Sequence, residues 1–180
     1  MDPVLSLYWK WDGELPAHVL AAAEHEMGAL ALEPGAVFSG PAQAVRDSDV
    51  VLRPGWHWLA GVLANYAAWA NEQAGWGFAL SKPDALQFTQ YRPGQYYDWH
   101  TDALMLAATS KTRKISVICM LSAPEEYEGG DLEIDGVSTP LRLARGSVIA
   151  FPAAARHRVT PVTRGLRRTL VSWMEGPTLR

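Results

Sequence analysis

From Ala85 to Met174 the chain is cut into six short β-forming runs: ALQFTQY (85–91), KISVICML (114–121), DLEI (131–134), SVIAFP (147–152), HRVTPV (157–162) and RRTLVSWM (167–174). Gly129-Gly130, Asp135-Gly136 and Arg145-Gly146 punctuate them, as hairpins and short connections require. Many short strands at spacings of about ten residues predict a sandwich or barrel. Before Lys82-Pro83 the texture differs. The run HVLAAAEHEMGALAL after Pro16 is rich in Ala and Leu, and Val19, Leu20, Ala23 and Met27 fall at helical spacing. A second helix is predicted from about Trp56 to Gln73, with Leu59, Val62, Leu63, Tyr66 and Trp69 or Ala70 on one stripe. Two amphipathic helices need a surface to cover, most simply the outer face of one sheet. The expected fold class is α+β.

Composition narrows the class further. A length of 180 residues argues for one domain, and 48% hydrophobic against 19% charged residues excludes disordered and fibrous chains. Sixteen Lys and Arg against 19 Asp and Glu leave a formal charge of -3, which counts against binding nucleic acid through its phosphates. The lone Cys119 makes no internal disulfide or cysteine zinc cluster and fits a reducing compartment, so a cytoplasmic protein is expected. The first residues carry an early acid and no apolar run long enough for a signal peptide or membrane span.

The chemistry concentrates in the second half. His100-Thr101-Asp102 would place an imidazole and a carboxylate on one face of a strand. Alone the pair is weak, since 5 His and 19 acids in 180 residues give about 0.5 such pairs by chance. His157 opens the run HRVTPV, and Arg167 opens RRTLVSWM ten residues on. If the turn Thr163-Arg164-Gly165 joins these runs as a hairpin, His157 and Arg167 share an inward face. Two imidazoles and a carboxylate on one side of a metal make the facial arrangement that suits non-haem Fe(II). A zinc hydrolase could use the same three ligands. Arg167 decides against it: hydrolysis needs no deep guanidinium, whereas a dicarboxylate cosubstrate needs a fork-shaped cation for its far end. Alternation turns Arg168 to the opposite face.

The segments QFTQYRPGQYYDWHTD (87–102), RKISVICMLS (113–122), EYEGGDLEI (126–134), GSVIAFP (146–152) and HRVTPVTRGLRRTLVSW (157–173) resemble the prolyl-4-hydroxylase-type Fe(II)/2-oxoglutarate dioxygenases. The resemblance covers about half the chain, residues 84–176. It implies a double-stranded β-helix, or jelly roll, at 84–176 of a single 1–180 domain, with 1–80 mainly helical support. It implies His100, Asp102 and His157 as ligands of Fe(II), with 2-oxoglutarate and dioxygen as cosubstrates and ascorbate as a reductant. Arg167 would hold the far carboxylate of 2-oxoglutarate, Tyr91 and Thr169 would assist, and Gln87 and Trp99 are expected near the pocket. The implied activity is hydroxylation of a C–H bond, of peptidyl proline first and of a small molecule or free amino acid second, with release of succinate and CO2. A non-catalytic jelly-roll binding module and a nucleic-acid demethylase are the competing classes. The stretch 103–113 is a candidate lid. His18, His25 and His57 have no partner at ligand spacing and are read as structural or surface residues. Asp47 and Asp49 fit an exposed turn, and Arg156, Arg158, Arg164 and Arg168 a solvated face.

Overall fold

The computed structural model describes residues 6–35, 45–103 and 111–178. Helix α1 spans Ala17–Gly28 and α2 spans Trp58–Gln73, close to expectation. The described residues also form thirteen strands. β1 (Trp9–Trp11), β2 (Glu33–Pro34), β4 (Asp49–Pro54), β5 (Pro83–Tyr91), β7 (Lys111–Met120), β10 (Val148–Pro152) and β13 (Arg167–Pro177) form a seven-stranded antiparallel sheet in the order β1-β10-β7-β13-β5-β4-β2. A four-stranded sheet faces it, in the order β3 (Arg46–Asp47), β6 (Tyr96–His100), β11 (His157–Val159), β9 (Leu132–Ile134). A small two-stranded sheet joins β8 (Tyr127–Gly129) to β12 (Val162–Gly165). This is the jelly-roll architecture.

The first 54 residues are less purely helical than expected, since they supply β1 to β4. Short strands of two or three residues carry too little alternation to be read from sequence. They matter because β1 and β2 form the two edges of the large sheet and β3 an edge of the small one.

The two faces of the large sheet have different duties, set by the period of two along each strand. Leu86 and Phe88 of β5, Ile115, Val117 and Cys119 of β7, and Leu170 and Met174 of β13 point outward. There they meet Leu20, Ala23 and Met27 of α1 and Leu59, Leu63, Tyr66 and Ala70 of α2. Ala70 is the buried member of the α2 stripe, while Trp69 stays 54% exposed. The inward face is apolar at one end, where Met120, Ile149 and Phe151 pack against Leu132 and Ile134 of the small sheet. At the other end it turns polar.

The hairpin expected between His157 and Arg167 does not form. β11 pairs with β6 and β9 of the small sheet, whereas β13 lies between β5 and β7 of the large one. Pro161 has no N–H to continue the ladder, so HRVTPV splits into β11 and β12. A Cβ at Gly165 would stand 2.0 Å from the Glu126 carbonyl oxygen, so this turn packs against the chain before β8. His157 and Arg167 still face one another, but across the gap between sheets.

Candidate metal and cosubstrate site

His100 ends β6 and His157 begins β11, and the two are register partners in the small sheet. Asp102 lies two residues beyond β6, where its N–H donates to the Ala153 carbonyl at 2.9 Å. One ligand atom from each of the three side chains falls within 4.8 Å of the others. His100 Nε2 stands 3.7 Å from Asp102 Oδ1, and His157 Nε2 3.5 Å from Asp102 Oδ2.

The far nitrogens fix the tautomers. His100 Nδ1 lies 2.7 Å from the Asp98 carbonyl oxygen, and His157 Nδ1 lies 3.0 Å from that of Ala155. A carbonyl only accepts, so both Nδ1 atoms carry the proton and both Nε2 atoms offer lone pairs to the shared point. Tyr97 stacks on His100 at 3.4 Å between ring centroids, and Phe151 meets His157 edge-on at 4.7 Å. Burial, and then the neighbouring His157, push the His100 imidazole down to about 4, so it stays neutral at pH 7. Burial acts to raise the Asp102 carboxyl. His157 and His100, the nearby Trp173 indole N–H and the Ser116 hydroxyl outweigh it and hold the group below its usual range. Two imidazole nitrogens beside an ionised carboxylate are the donor set a divalent cation takes.

The triad opens into a cavity of about 480 Å³ between the sheets. Across it stands Arg167, 2% exposed, its Cζ 5.4 Å from the centroid of the Tyr91 ring. Arg167 Nε is buried without a hydrogen-bond partner. Such an atom is costly unless an anion completes it, so the site fits a bound carboxylate. Gly130 makes room for this side chain. Its φ is +63°, and a Cβ there would stand 2.8 Å from Arg167 Cδ. Burial raises the Tyr91 hydroxyl, which therefore remains a donor.

Tyr91, Thr169 and Gln87 all line the cavity, and Gln87 Nε2 donates to Thr89 Oγ1 at 2.7 Å. Trp99 does not. It neighbours His100 on an extended strand and so faces the other way, between Arg156 and Arg158 at 5.0 and 4.9 Å. Arg168 also turns away, toward Glu24 and Glu126. Arg158 pairs with Glu133 and Arg164 with Glu128. Asp49 pairs with Arg92, and Asp47 accepts from Gln95, so neither joins the site. His57 caps α2 through Nδ1, which accepts from Leu59 N–H. The candidate lid at 103–113 lies, for residues 104–110, outside the described residues.

Among the lining residues that alternation and motif spacing did not point to are two arginines, Arg46 and Arg113. Arg46 lies over Tyr97 at 4.7 Å and donates from Nε to Ser48 Oγ at 2.8 Å. Arg113 stacks on Trp173 at 3.8 Å and pairs with Asp84. Counting alternation back from Ser116 sends Arg113 outward, but a register shift between Met174 and Glu175 opposite β7 brings it in.

The pattern of a family described as the 2OG-Fe(II) oxygenase superfamily matches residues 86–175. A PKHD-type hydroxylase of Synechococcus sp. (strain JA-2-3B'a(2-13)) is 45% identical over 89 residues, covering 47% of this chain and 40% of that one. The match thus spans about two-fifths of that hydroxylase's length. Among solved structures, the viral collagen prolyl hydroxylase of Paramecium Bursaria Chlorella virus-1, as its 2OG complex, superposes with a TM-score of 0.72 at 21% identity, covering 98% of this chain and 99% of that one. A Trichoplax adhaerens prolyl hydroxylase, complexed with a hypoxia inducible factor oxygen degradation domain peptide fragment, gives 0.72 at 13% identity, covering 93% and 83%. These two likenesses establish the fold.

Proposed function

This chain belongs to the 2OG-Fe(II) oxygenase superfamily, and from that premise we propose that it is a dioxygenase hydroxylating a C–H bond of a peptidyl residue, proline first. The family uses Fe(II), 2-oxoglutarate and dioxygen. One observation carries the reading: two imidazoles and a carboxylate converge on one wall of a cavity whose opposite wall bears a buried guanidinium with an unpartnered Nε.

In this reading His100 and His157 hold the metal through Nε2 and Asp102 through its carboxylate. When bound, iron and 2-oxoglutarate supply the oxidation that inserts the hydroxyl group and releases succinate and CO2. Arg167 takes the far carboxylate of 2-oxoglutarate, with the Tyr91 and Thr169 hydroxyls as further donors. Ile118 and Val171 on the same wall and Val159 on the opposite one give the cavity apolar lining, which strengthens every polar contact inside it. Gln87 also lines the cavity, where we assign it to contact with a polar group of the substrate. Ascorbate is the proposed reductant keeping the metal ferrous.

The peptide assignment draws on the prolyl hydroxylase neighbours, one of which carries a bound peptide. No helix among the described residues is long and apolar enough to cross a membrane. A buried free thiol at Cys119 supports a reducing, cytoplasmic setting.

The test is succinate release with Fe(II), 2-oxoglutarate and proline-containing peptides, with free amino acids as a parallel arm. Wild-type protein releases succinate in step with peptide, and Asp102→Ala releases none. Undiminished turnover by Asp102→Ala overturns the metal assignment. Coupled release with free amino acids alone overturns the peptide assignment.

A further inference from the structure

Asp102 is the ligand whose own backbone fixes it least. Its N–H and that of Ala103 both donate to the Ala153 carbonyl at 2.9 Å, which places the main chain. The plane of the carboxylate is a separate matter, because the terminal torsion of an aspartate is broad. The histidines have their Nδ1 bonds to hold their rings. For Asp102 the corresponding contact comes from another strand. Ser116 of β7, 0% exposed on the inward face, donates its hydroxyl to Asp102 Oδ2 at 2.7 Å. Its register partner across β13 is Trp173, whose indole N–H approaches Asp102 without meeting it at hydrogen-bonding geometry.

On the reading of the triad as a metal site, we infer that Ser116 is a positioning residue, fixing the plane of the Asp102 carboxylate so that each of its oxygens faces one of the two imidazoles. Oδ2 accepts from Ser116 and lies 3.5 Å from His157 Nε2, while Oδ1 lies 3.7 Å from His100 Nε2. A carboxylate whose plane is already fixed would meet a cation without the cost of ordering that torsion on binding. Ser116 suits the task for two reasons. It sits mid-strand in β7, between β10 and β13 of the large sheet, so its position is rigid. Its hydroxyl is neutral, so it orders the carboxylate without adding a charge that repels the cation. Partners of this kind cost 10- to 100-fold in metal affinity when removed, and about that range is expected here.

The experiment titrates metal-free protein with Mn(II) in the absence of 2-oxoglutarate, reading free Mn(II) by electron paramagnetic resonance and folding by thermal denaturation. Ser116→Ala is expected to bind Mn(II) about 10- to 100-fold more weakly than wild type. Ser172→Ala is the control. Ser172 is also buried, at 3%, but it donates to the Ala85 carbonyl at 2.8 Å on the face away from the cavity. It is expected to lower the melting temperature while leaving Mn(II) affinity unchanged. Unweakened Mn(II) binding by Ser116→Ala overturns the inference, and so does an equal loss in Ser172→Ala, which would signify general softening of β7 and β13. Failure of the wild-type protein to bind Mn(II) overturns instead the metal reading beneath it.

Discussion

A guanidinium 2% exposed with an orphaned Nε is unfavourable to build unless something anionic completes it. At Arg167 that argument yields a number. A hydrogen bond to a charged group is worth about 1.5–3 kcal/mol, and each 1.4 kcal/mol is a factor of ten. Arg167→Ala should therefore weaken 2-oxoglutarate binding by roughly 10- to 100-fold while leaving Mn(II) affinity as in wild type. An anaerobic titration of the metal-loaded variant checks this, and equal loss of both ligands would mean the cavity had collapsed. Arg167 and the triad were legible in the sequence because alternation assigns faces, and because imidazole, carboxylate and guanidinium carry their chemistry in their identity. The contacts that ready them were not legible. The Nδ1 protons go to the carbonyls of Asp98 and Ala155, and every residue has a carbonyl. Ser116 meets Asp102 only because two sheets face each other. Trp99 failed for the opposite reason: adjacency to His100 in sequence means opposition in a strand.

At the scale of elements, the long runs were readable and the connections were not. β5, β7 and β13 are 9, 10 and 11 residues long and declare themselves by near-continuous burial. The path from β11 to β13 depends on Pro161 and on the clearance at Gly165, both of which look like ordinary hairpin punctuation. The junction of α1 with α2 was hidden as well. Glu26 of α1 accepts from His57 Nε2 at 2.6 Å and from Trp58 Nε1 at 3.0 Å. His57 Nδ1 meanwhile accepts from Leu59, so one neutral imidazole caps α2 and ties it to α1. The N–H groups of Trp58 and His57 hold the Glu26 carboxyl below its usual value. A carboxyl lowered by folding contributes stability above its unfolded value, and that contribution fades as pH falls through the folded one. Glu26→Ala should thus lower stability by about 1 kcal/mol at neutral pH, a modest figure because the side chain is 39% exposed. The gap from wild type should narrow below the usual carboxylate range. Urea denaturation at neutral and acid pH measures both, and a gap that widens in acid would contradict the assignment.

Across the whole molecule, the site joins two sheets that otherwise meet mainly through the apolar end of the sandwich. His100 and His157 belong to the small sheet, Asp102 is held to β7 through Ser116, and Arg167 belongs to the large sheet. A metal alone would therefore tie down the small sheet and the segment carrying Asp102. A keto-diacid held by that metal and by Arg167 would join the two sheets through one ligand. Linkage turns this into a thermal signature. A ligand at 100 times its dissociation constant stabilises by about 2.7 kcal/mol, and at this chain length each kcal/mol is worth roughly 2–4 °C. Mn(II) should raise the melting temperature by roughly 5–10 °C, and a chelator should reverse it. With Mn(II) present, 2-oxoglutarate should add a second rise of similar size. Without metal it should add much less, because Arg167 then holds only one end of the diacid. Scanning calorimetry of the four combinations decides it. A full 2-oxoglutarate shift in metal-free protein would mean that the cavity binds the diacid without the triad, and the two walls would then be separate sites rather than two halves of one.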